Sequence, residues 1–340
     1  MPPIYLDHAA TTPLLPAARE AMLEGFALWA NPSSPHKAGR AARAALEEVR
    51  ARVKAALGWQ GEVIFTSGAS EALAIALTRC AVSPAAVSSV EHEAVLRWTG
   101  DAARIRVDAD GRINTDGVPL NGLVAVQQVN NETGVIQPLS ELAEAVRAAG
   151  GLLLADCAQG CAKIALPAAD LVAISAHKFG GPIGVGALLV RDWAMLRPTG
   201  GQERGYRGGT ENLPGAMAMV AALEAGQDWL DHAARLRLRL DQGIRAAGGE
   251  VVAEHAPRLA TIAGYRMPGR SANAQLIRFD GLGIAVSAGS ACSSGSLKAS
   301  PVLTAMGYPH AGEVIRVSLG RETTEAEVDA FLAAWEEIRG

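Results

Sequence analysis

The chain has 340 residues, a formal net charge of −4, and 49% hydrophobic, 19% charged and 4% aromatic residues. That balance suits a globular chain of about two domains with ample material for a core. It gives no electrostatic reason for a polyanion partner, and so few aromatics argue against a stacking surface for nucleic acid. The start, M-P-P-I-Y-L-D-H, has no basic apolar leader, and no uninterrupted apolar run reaches about 18 residues, so the reading is cytoplasmic, with no membrane role. The cysteines are Cys80, Cys157, Cys161 and Cys292. They form no C-x-x-C pair, and Cys157 and Cys161 lack a second ligand pair, so core packing is expected for both and no metal site is expected.

In chain order, Tyr5–Pro13 has extended and turn character and Pro16–Phe26 reads as a helix. Asn31–His36 is a loop, in which Ser34 can cap an Ala-rich helix running from Pro35 toward Leu57. A strand at Glu62–Phe65 leads into T-S-G-A-S-E (Thr66–Glu71), which opens a helix to about Cys80. Strands follow near Ala86–Val90 and Leu123–Val129, then a helix from Leu139 to Ala149 and strands at Leu152–Ala155, Leu171–Ile174 and Val185–Val190. This alternation predicts an α/β fold with a mostly parallel sheet covered on both faces. From Asn212 the pattern turns helical through Gly226 to about Ala247, and the domain junction is expected there. Strands at Leu259–Tyr265, Ile284–Val286 and Val314–Leu319 are expected beyond it, with helices at Ala274–Arg278, Ser300–Met306 and Glu325–Ile338. The run R-L-R-L-R-L (Arg235–Leu240) reads as a solvated helix face rather than a basic docking patch.

The chemistry centres on Lys178, at the exit of the buried strand Leu171–Ile174. Desolvation lowers an amine's pKa and makes it a usable nucleophile or base, as in Schiff-base chemistry with pyridoxal phosphate (PLP). On that fragment alone, a surface lysine in a turn is the simpler explanation. Thr66–Ser70 offers hydroxyls, backbone N–H groups and a helix N-terminus to a phosphate, or is an ordinary N-cap. Asp156 ends the strand Leu152–Ala155, where a carboxylate points into the ligand crevice of such a sheet; it can equally cap a helix. For PLP, that carboxylate keeps the pyridine nitrogen protonated. No G-x-G-x-x-G and no G-x-x-x-x-G-K-[ST] occurs.

The motifs D-H-A-A-T-T-P (Asp7–Pro13), N-P-S-S-P-H (Asn31–His36), T-S-G-A-S-E, E-H-E-A-V (Glu91–Val95), N-N-E-T-G-V-I-Q-P (Asn130–Pro138), D-C-A-Q (Asp156–Gln159), S-A-H-K (Ser175–Lys178), R-G-G-T (Arg207–Thr210) and G-S-A-C-S-S-G-S-L (Gly289–Leu297) stand in one order. In this the chain resembles the NifS/IscS branch of the cysteine desulfurases, PLP enzymes that take sulfur from L-cysteine. The resemblance implies a fold-type I PLP-dependent transferase. Its large PLP-binding domain (15–230) would hold a mostly parallel seven-stranded sheet. Residues 1–14 and 231–340 would form a smaller α/β domain carrying the cysteine loop. It also implies a homodimer with sites built from both subunits.

The resemblance further assigns roles. Lys178 would hold the cofactor and shuttle the Cα proton, and Asp156 would pair with the pyridine nitrogen. Gln159 and Asn131 would bond around the phenolic oxygen, and His92 would stack on the ring and assist proton transfer. A metal site at His92 fails, because Leu96 occupies the second position of H-E-x-x-H. Gly68, Ala69, Ser70, Ser175 and His177 would hold the phosphate, with Thr210 reaching in from the other subunit. Arg316 would clamp the substrate carboxylate, helped by Asn31, although a structural ion pair also explains an arginine there.

Cys292 lies among small residues, which suits a mobile surface loop and a nucleophile that must travel, or a tolerated free thiol. The resemblance implies that it takes the sulfur as a persulfide, leaves alanine and passes sulfur to an acceptor protein such as an iron–sulfur scaffold. The chain departs from the family at Ser70, at Ala72–Ile75 and at Lys298–Ala299, and is short around Gly248–Asp280. The departures near Ala72–Ile75 and Lys298 motivate a non-catalytic desulfurase-like scaffold as an alternative; a selenocysteine lyase or related PLP aminotransferase or lyase of the same fold is the nearest enzymatic one.

Overall fold

A computed structural model describes residues 3–289 and 300–340, so the expectations for Cys292, Lys298 and Ala299 lie outside the described residues. In chain order the strands begin with β1 (Ile4–Tyr5), β2 (Glu62–Thr66), β3 (Pro84–Ser88), β4 (Ala103–Val107), β5 (Ile113–Asn114), β6 (Leu123–Gln127) and β7 (Leu152–Asp156). They continue with β8 (Leu171–Ser175), β9 (Gly186–Val190), β10 (Glu250–Val251), β11 (Ile262–Arg266), β12 (Ile284–Ala285) and β13 (Val314–Ser318). The helices are α1 (Pro16–Ala27), α2 (Lys37–Leu57), α3 (Ala69–Arg79), α4 (Glu93–Leu96) and α5 (Leu139–Ala148). After them come α6 (Leu213–Leu223), α7 (Leu230–Ala246), α8 (Ala272–Gly281), α9 (Pro301–Ala305) and α10 (Glu325–Arg339).

The main sheet runs β2-β9-β8-β7-β6-β3-β4-β5. The β4-β3-β6-β7-β8 pairings are parallel, while β9 is antiparallel to both its neighbours. Seven strands have five residues each; the eighth, β5, is a two-residue antiparallel edge beyond the expected seven. The central strands L-V-A-V-Q, L-L-L-A-D, L-V-A-I-S and G-A-L-L-V are buried nearly throughout, because helices cover both faces and leave no polar alternation. One face packs on α2, α5 and α6 through Leu46, Val53, Leu142 and Met219, the other on α3 through Leu73 and Leu77. Strand β4, A-R-I-R-V, was not expected: three of its five residues are polar or small, and only Ile105 is fully buried.

Helix α2 starts two residues later than expected, and its N-cap is His36 rather than Ser34. The Ser34 N–H closes a turn on the Asn31 carbonyl (3.0 Å), which draws Ser34 into the loop, and His36 Nδ1 accepts the Gly39 N–H at 3.2 Å. The long helical stretch after Asn212 is two helices, separated around Gly226 at φ +79°.

Beyond α7, the antiparallel sheet β10-β11-β13 packs against α7, α8 and α10. Its core includes Leu240, Ile244, Tyr265, Phe279, Phe331 and Trp335, joined by Leu6 from the chain's start. The first residues therefore run through this second core before reaching the main sheet. Strand β1 pairs with β12, Asp7 bridges to Ser318, and the Thr12 N–H reaches the His177 carbonyl at 2.8 Å. Among the described residues, no helix is long and apolar enough to cross a membrane.

Candidate active site

The C-terminal ends of β2, β3, β6, β7 and β8 all lead into residues that line one cavity of about 470 Å³. This is the edge at which open α/β sheets bind ligands. Strand β8 delivers Lys178 through a single 3₁₀ turn, Ala176–Lys178. Its Nζ donates to the carbonyls of Ala9 (2.6 Å) and Ala10 (2.8 Å), so the N-terminal segment fixes the amine at the cavity wall.

Asp156 stands one strand over, at the end of β7, in register with Ala173. Its Oδ1 accepts the Ala158 N–H at 2.9 Å. Burial raises the proton affinity of this carboxyl, while the Ala158 N–H, His92 and Lys178 work against that. A carboxylate so short of water gains most from a cationic partner entering the cavity.

His92 caps the short helix α4, its Nδ1 accepting the Ala94 N–H at 3.0 Å. With that nitrogen committed as acceptor, the neutral ring carries its proton on Nε2. The next residue back, Glu91, is wholly buried, and burial, with Asp156 nearby, holds its carboxyl well above the usual range.

On the opposite wall, Ser67 and Gly68 join β2 to α3, whose first residues are Ala69 and Ser70. Gly68 sits at φ +149°, a conformation that side chains disfavour. The loop lies hard against β9: a Cβ on Gly186 would fall 2.7 Å from the Gly68 Cα. Glu71 accepts the Ser67 N–H at 2.6 Å and pairs with Arg207 at 3.1 Å, which braces the turn. The first N–H groups of the eleven-residue α3 and the Ser70 and Ser175 hydroxyls therefore surround one side of the cavity. His177 Nδ1 lies 3.2 Å from Thr11 Oγ1, and burial, with Lys178 and Lys163, pushes its imidazole down to about 4, so it is neutral at pH 7.

Gln159 donates from Nε2 to the Ala9 carbonyl at 2.9 Å, and its Oε1 is buried with no partner. Arg316, on β13, reaches the same cavity from the second core. Its Nη2 meets Asp7 Oδ1 at 2.7 Å and its Nη1 donates to the Asn131 carbonyl at 3.0 Å, while Nε is buried and unpartnered.

Ten of the expected residues thus share one cavity: Gly68, Ala69, Ser70, His92, Asn131, Asp156, Gln159, Ser175, His177 and Lys178; Arg316 joins them. Asn31 and Thr210 do not line it. They line a separate hollow with Phe26, Trp29 and Pro32.

The family model for aminotransferase class-V matches residues 4–331. The chain belongs to this family. Relatives place it among the cysteine desulfurases of that family. One such enzyme from Cereibacter sphaeroides is 38% identical, over 97% of this chain and 94% of that protein. An IscS-like cysteine desulfurase from Mycobacterium tuberculosis is 37% identical, over 96% of this chain and 94% of that protein. Among solved structures, a NifS-like protein from Rickettsia africae superposes with a TM-score of 0.90 at 28% identity, covering 99% of each chain. The structure of SspA in complex with cysteine superposes at 0.80 and 27% identity, over 94% of this chain and all of that one. Cysteine desulfurases and other class-V aminotransferases depend on PLP.

Four contributors were given no role in the sequence reading. The Ala9 and Ala10 carbonyls hold Lys178, Asp7 holds Arg316, and Gln127 lines the cavity. Asp7, Ala9 and Ala10 belong to the motif D-H-A-A-T-T-P, which was the available signal. Backbone carbonyls carry no side-chain signature, so their role shows only once the segment is seen crossing the sheet edge.

Proposed function

We propose that this chain is a PLP-dependent cysteine desulfurase, acting as a homodimer and passing sulfur from L-cysteine through Cys292 to an acceptor protein. The observation that carries the reading is the convergence of Lys178 and Asp156 across the β7–β8 pair, facing the Gly68–Ser70 turn. PLP fits this residue set. The orphan Gln159 Oε1, the desolvated Asp156 carboxylate and the open N–H groups of α3 call for a polar donor, a cation and an anion on one flat ligand. When bound, PLP supplies an electron sink for the carbanion formed at the substrate Cα.

In this reading the chain's own residues do the rest. Asp156 holds the proton on the ring nitrogen. Gln159 and Asn131 would hydrogen-bond around the ring's phenolic oxygen, and His92, with Nε2–H available, would stack on the ring and assist proton transfer. Ser67–Ser70, Ser175 and His177 hold the phosphate. The neutral His177 does so as a hydrogen-bond donor from Nε2 or through its Thr11 contact, not as a cation. Lys178 Nζ would hold the cofactor covalently and shuttle the substrate Cα proton. Arg316 orients the substrate carboxylate with donors left over from Asp7 and Asn131.

The Cys292 thiol would give up its proton and attack the substrate sulfur: an S–S bond forms, the C–S bond breaks, its electron pair stays with the substrate Cβ, which takes a proton, and alanine leaves. A second copy of the chain supplies Thr210 to the phosphate and completes the site. We also take residues 15–230 and the remainder as the two domains, with the active site between them.

The test is an absorbance spectrum of the purified full chain with PLP, followed by borohydride reduction and peptide mapping, and an assay of alanine and sulfide from L-cysteine. A reduced adduct on Lys178, with sulfide release lost in Cys292→Ala, is the expected outcome. An adduct elsewhere, or none in folded protein, overturns the reading. Selenocysteine turnover far above cysteine turnover points instead to a lyase.

A further inference from the structure

Lys163 is a second amine beneath the cavity, and none of the roles above uses it. It follows Gln159 by one helical turn's spacing and is only 7% exposed. Its Nζ donates to the Gln159 carbonyl at 3.1 Å, and among the described residues it makes no ion pair. Lys163 and Lys178 both line a narrow void of about 20 Å³ with Thr12, Phe179, Gly320 and Arg321. That is room for about one water. A short chain of hydrogen bonds also joins them. Ala9 O accepts both Lys178 Nζ and Gln159 Nε2, while Gln159 O accepts Lys163 Nζ.

The groups facing this pair supply little negative charge. His8, from the N-terminal segment, and His177, beside Lys178, are both pushed down to about 4 and are neutral at pH 7. Cys161, on Lys163's own turn, is pushed up to about 12 and remains a thiol. Arg321, from the segment after β13, adds a further cation. Asp156 acts on Lys178, not on Lys163.

We propose that Lys163 is the charge partner of Lys178: the two amines form one buried titrating pair, so that charge on Lys178 lowers the proton occupancy of Lys163. Lys163 is the member that gives way, because it is the more deeply buried and lacks a carboxylate of its own. Burial and the Lys178 charge accordingly push its amine down to about 8. Near and just above its midpoint of about 8, Lys163 takes up a proton from solvent when Lys178 loses its charge, so part of the positive charge on the cavity floor is kept. The coupling stands on the geometry of the protein alone. Its use, in steadying the charge beneath a lysine that alternates between linked and free, rests on the function proposed above.

The test is ¹³Cε NMR of lysine-labelled full chain, titrated with pH in the absence of PLP. Only five lysines are present (Lys37, Lys54, Lys163, Lys178 and Lys298), so Lys163→Met and Lys178→Met assign the two signals. In the wild type, Lys163 should titrate well below the ordinary lysine range of about 10.4. In Lys178→Met its midpoint should rise by about one pH unit, a tenfold gain in proton affinity. An ordinary Lys163 midpoint in the wild type refutes the proposal without any variant. So does an unmoved one in folded Lys178→Met or Lys178→Gln. Failure to bind PLP would remove the functional reading and leave this result standing.

Discussion

Glu91 gives the sharpest electrostatic test of the cavity floor. Its Oε1 accepts the Gln127 N–H at 2.7 Å, and its Oε2 is buried with no partner. Burial, with Asp156 as a second contributor, holds the carboxyl protonated well above the ordinary 4.5. The sign follows from linkage. The folded chain binds this proton more tightly than the unfolded chain, so the contribution is fully present below the unfolded value and is lost as pH rises toward the folded one. Over each pH unit in which Glu91 is protonated when folded and ionised when unfolded, the loss is about 1.4 kcal/mol. Glu91→Gln keeps an oxygen for Gln127 and cannot ionise. The variant should therefore be close to wild type at pH 5 and gain on it as pH rises, until Glu91 ionises in the folded chain as well. Urea unfolding at pH 5, 6 and 7 measures the slope, with Glu91→Leu as the control that also loses the Gln127 bond. A constant difference between wild type and Glu91→Gln across that range refutes a protonated Glu91. It would put two negative charges beneath the proposed ring.

Gly186→Ala should cost about 3 kcal/mol in urea unfolding, because its Cβ meets only backbone: Ile174 O at 2.5 Å and Gly68 Cα at 2.7 Å. It should also weaken PLP binding by displacing the Gly68 turn, and an unchanged Kd shows that the turn does not need this approach. Glu203→Gln should destabilise by about 3–5 kcal/mol, measured the same way. The buried Glu203 carboxylate takes Arg50 at 2.9 Å and the Phe65 N–H at 3.0 Å, and its loss leaves the buried guanidinium only the Val63 carbonyl and the more exposed Glu47 at 3.4 Å. Arg316→Lys should raise KM for L-cysteine about tenfold or more with a smaller change in kcat, since an ammonium cannot serve Asp7, Asn131 and a substrate carboxylate in one plane. A change confined to kcat counts against a carboxylate clamp.

Much of the main sheet was legible because its central strands are unbroken apolar runs, and such runs have few alternatives once helices flank them. Lys178, Asp156 and Thr66–Ser70 were legible for a related reason: polar residues at the ends of apolar strands mark the ligand edge. Strand β4 was hidden because an edge strand needs only one buried side chain, and A-R-I-R-V supplies little more than Ile105. The α2 cap was misplaced because Ser34 is the better capping residue by type, yet its backbone is already committed to a turn with Asn31. The positions of Asn31 and Thr210 depend on more than this chain's local pattern. The pattern that names them carries no distance, and within one copy they lie together in a separate hollow.

The placement of Lys178 and Arg316 accounts for the path of residues 4–12. The two cores are built largely from separate stretches of sequence, yet both cations belong to one cavity. Residues 4–12 reconcile this. β1 pairs with β12, Leu6 is buried in the second core, and Asp7 takes Arg316; then Ala9 and Ala10 take Lys178, and Thr12 takes the His177 carbonyl. A shift of the second core relative to the sheet would have to stretch or rotate this short span, moving the amine and the guanidinium together. The span thus couples the group proposed to anchor the cofactor to the group proposed to orient the substrate. In that arrangement, Asp7→Ala should disturb both PLP binding and KM for L-cysteine, although the side-chain partner Asp7 loses is Arg316.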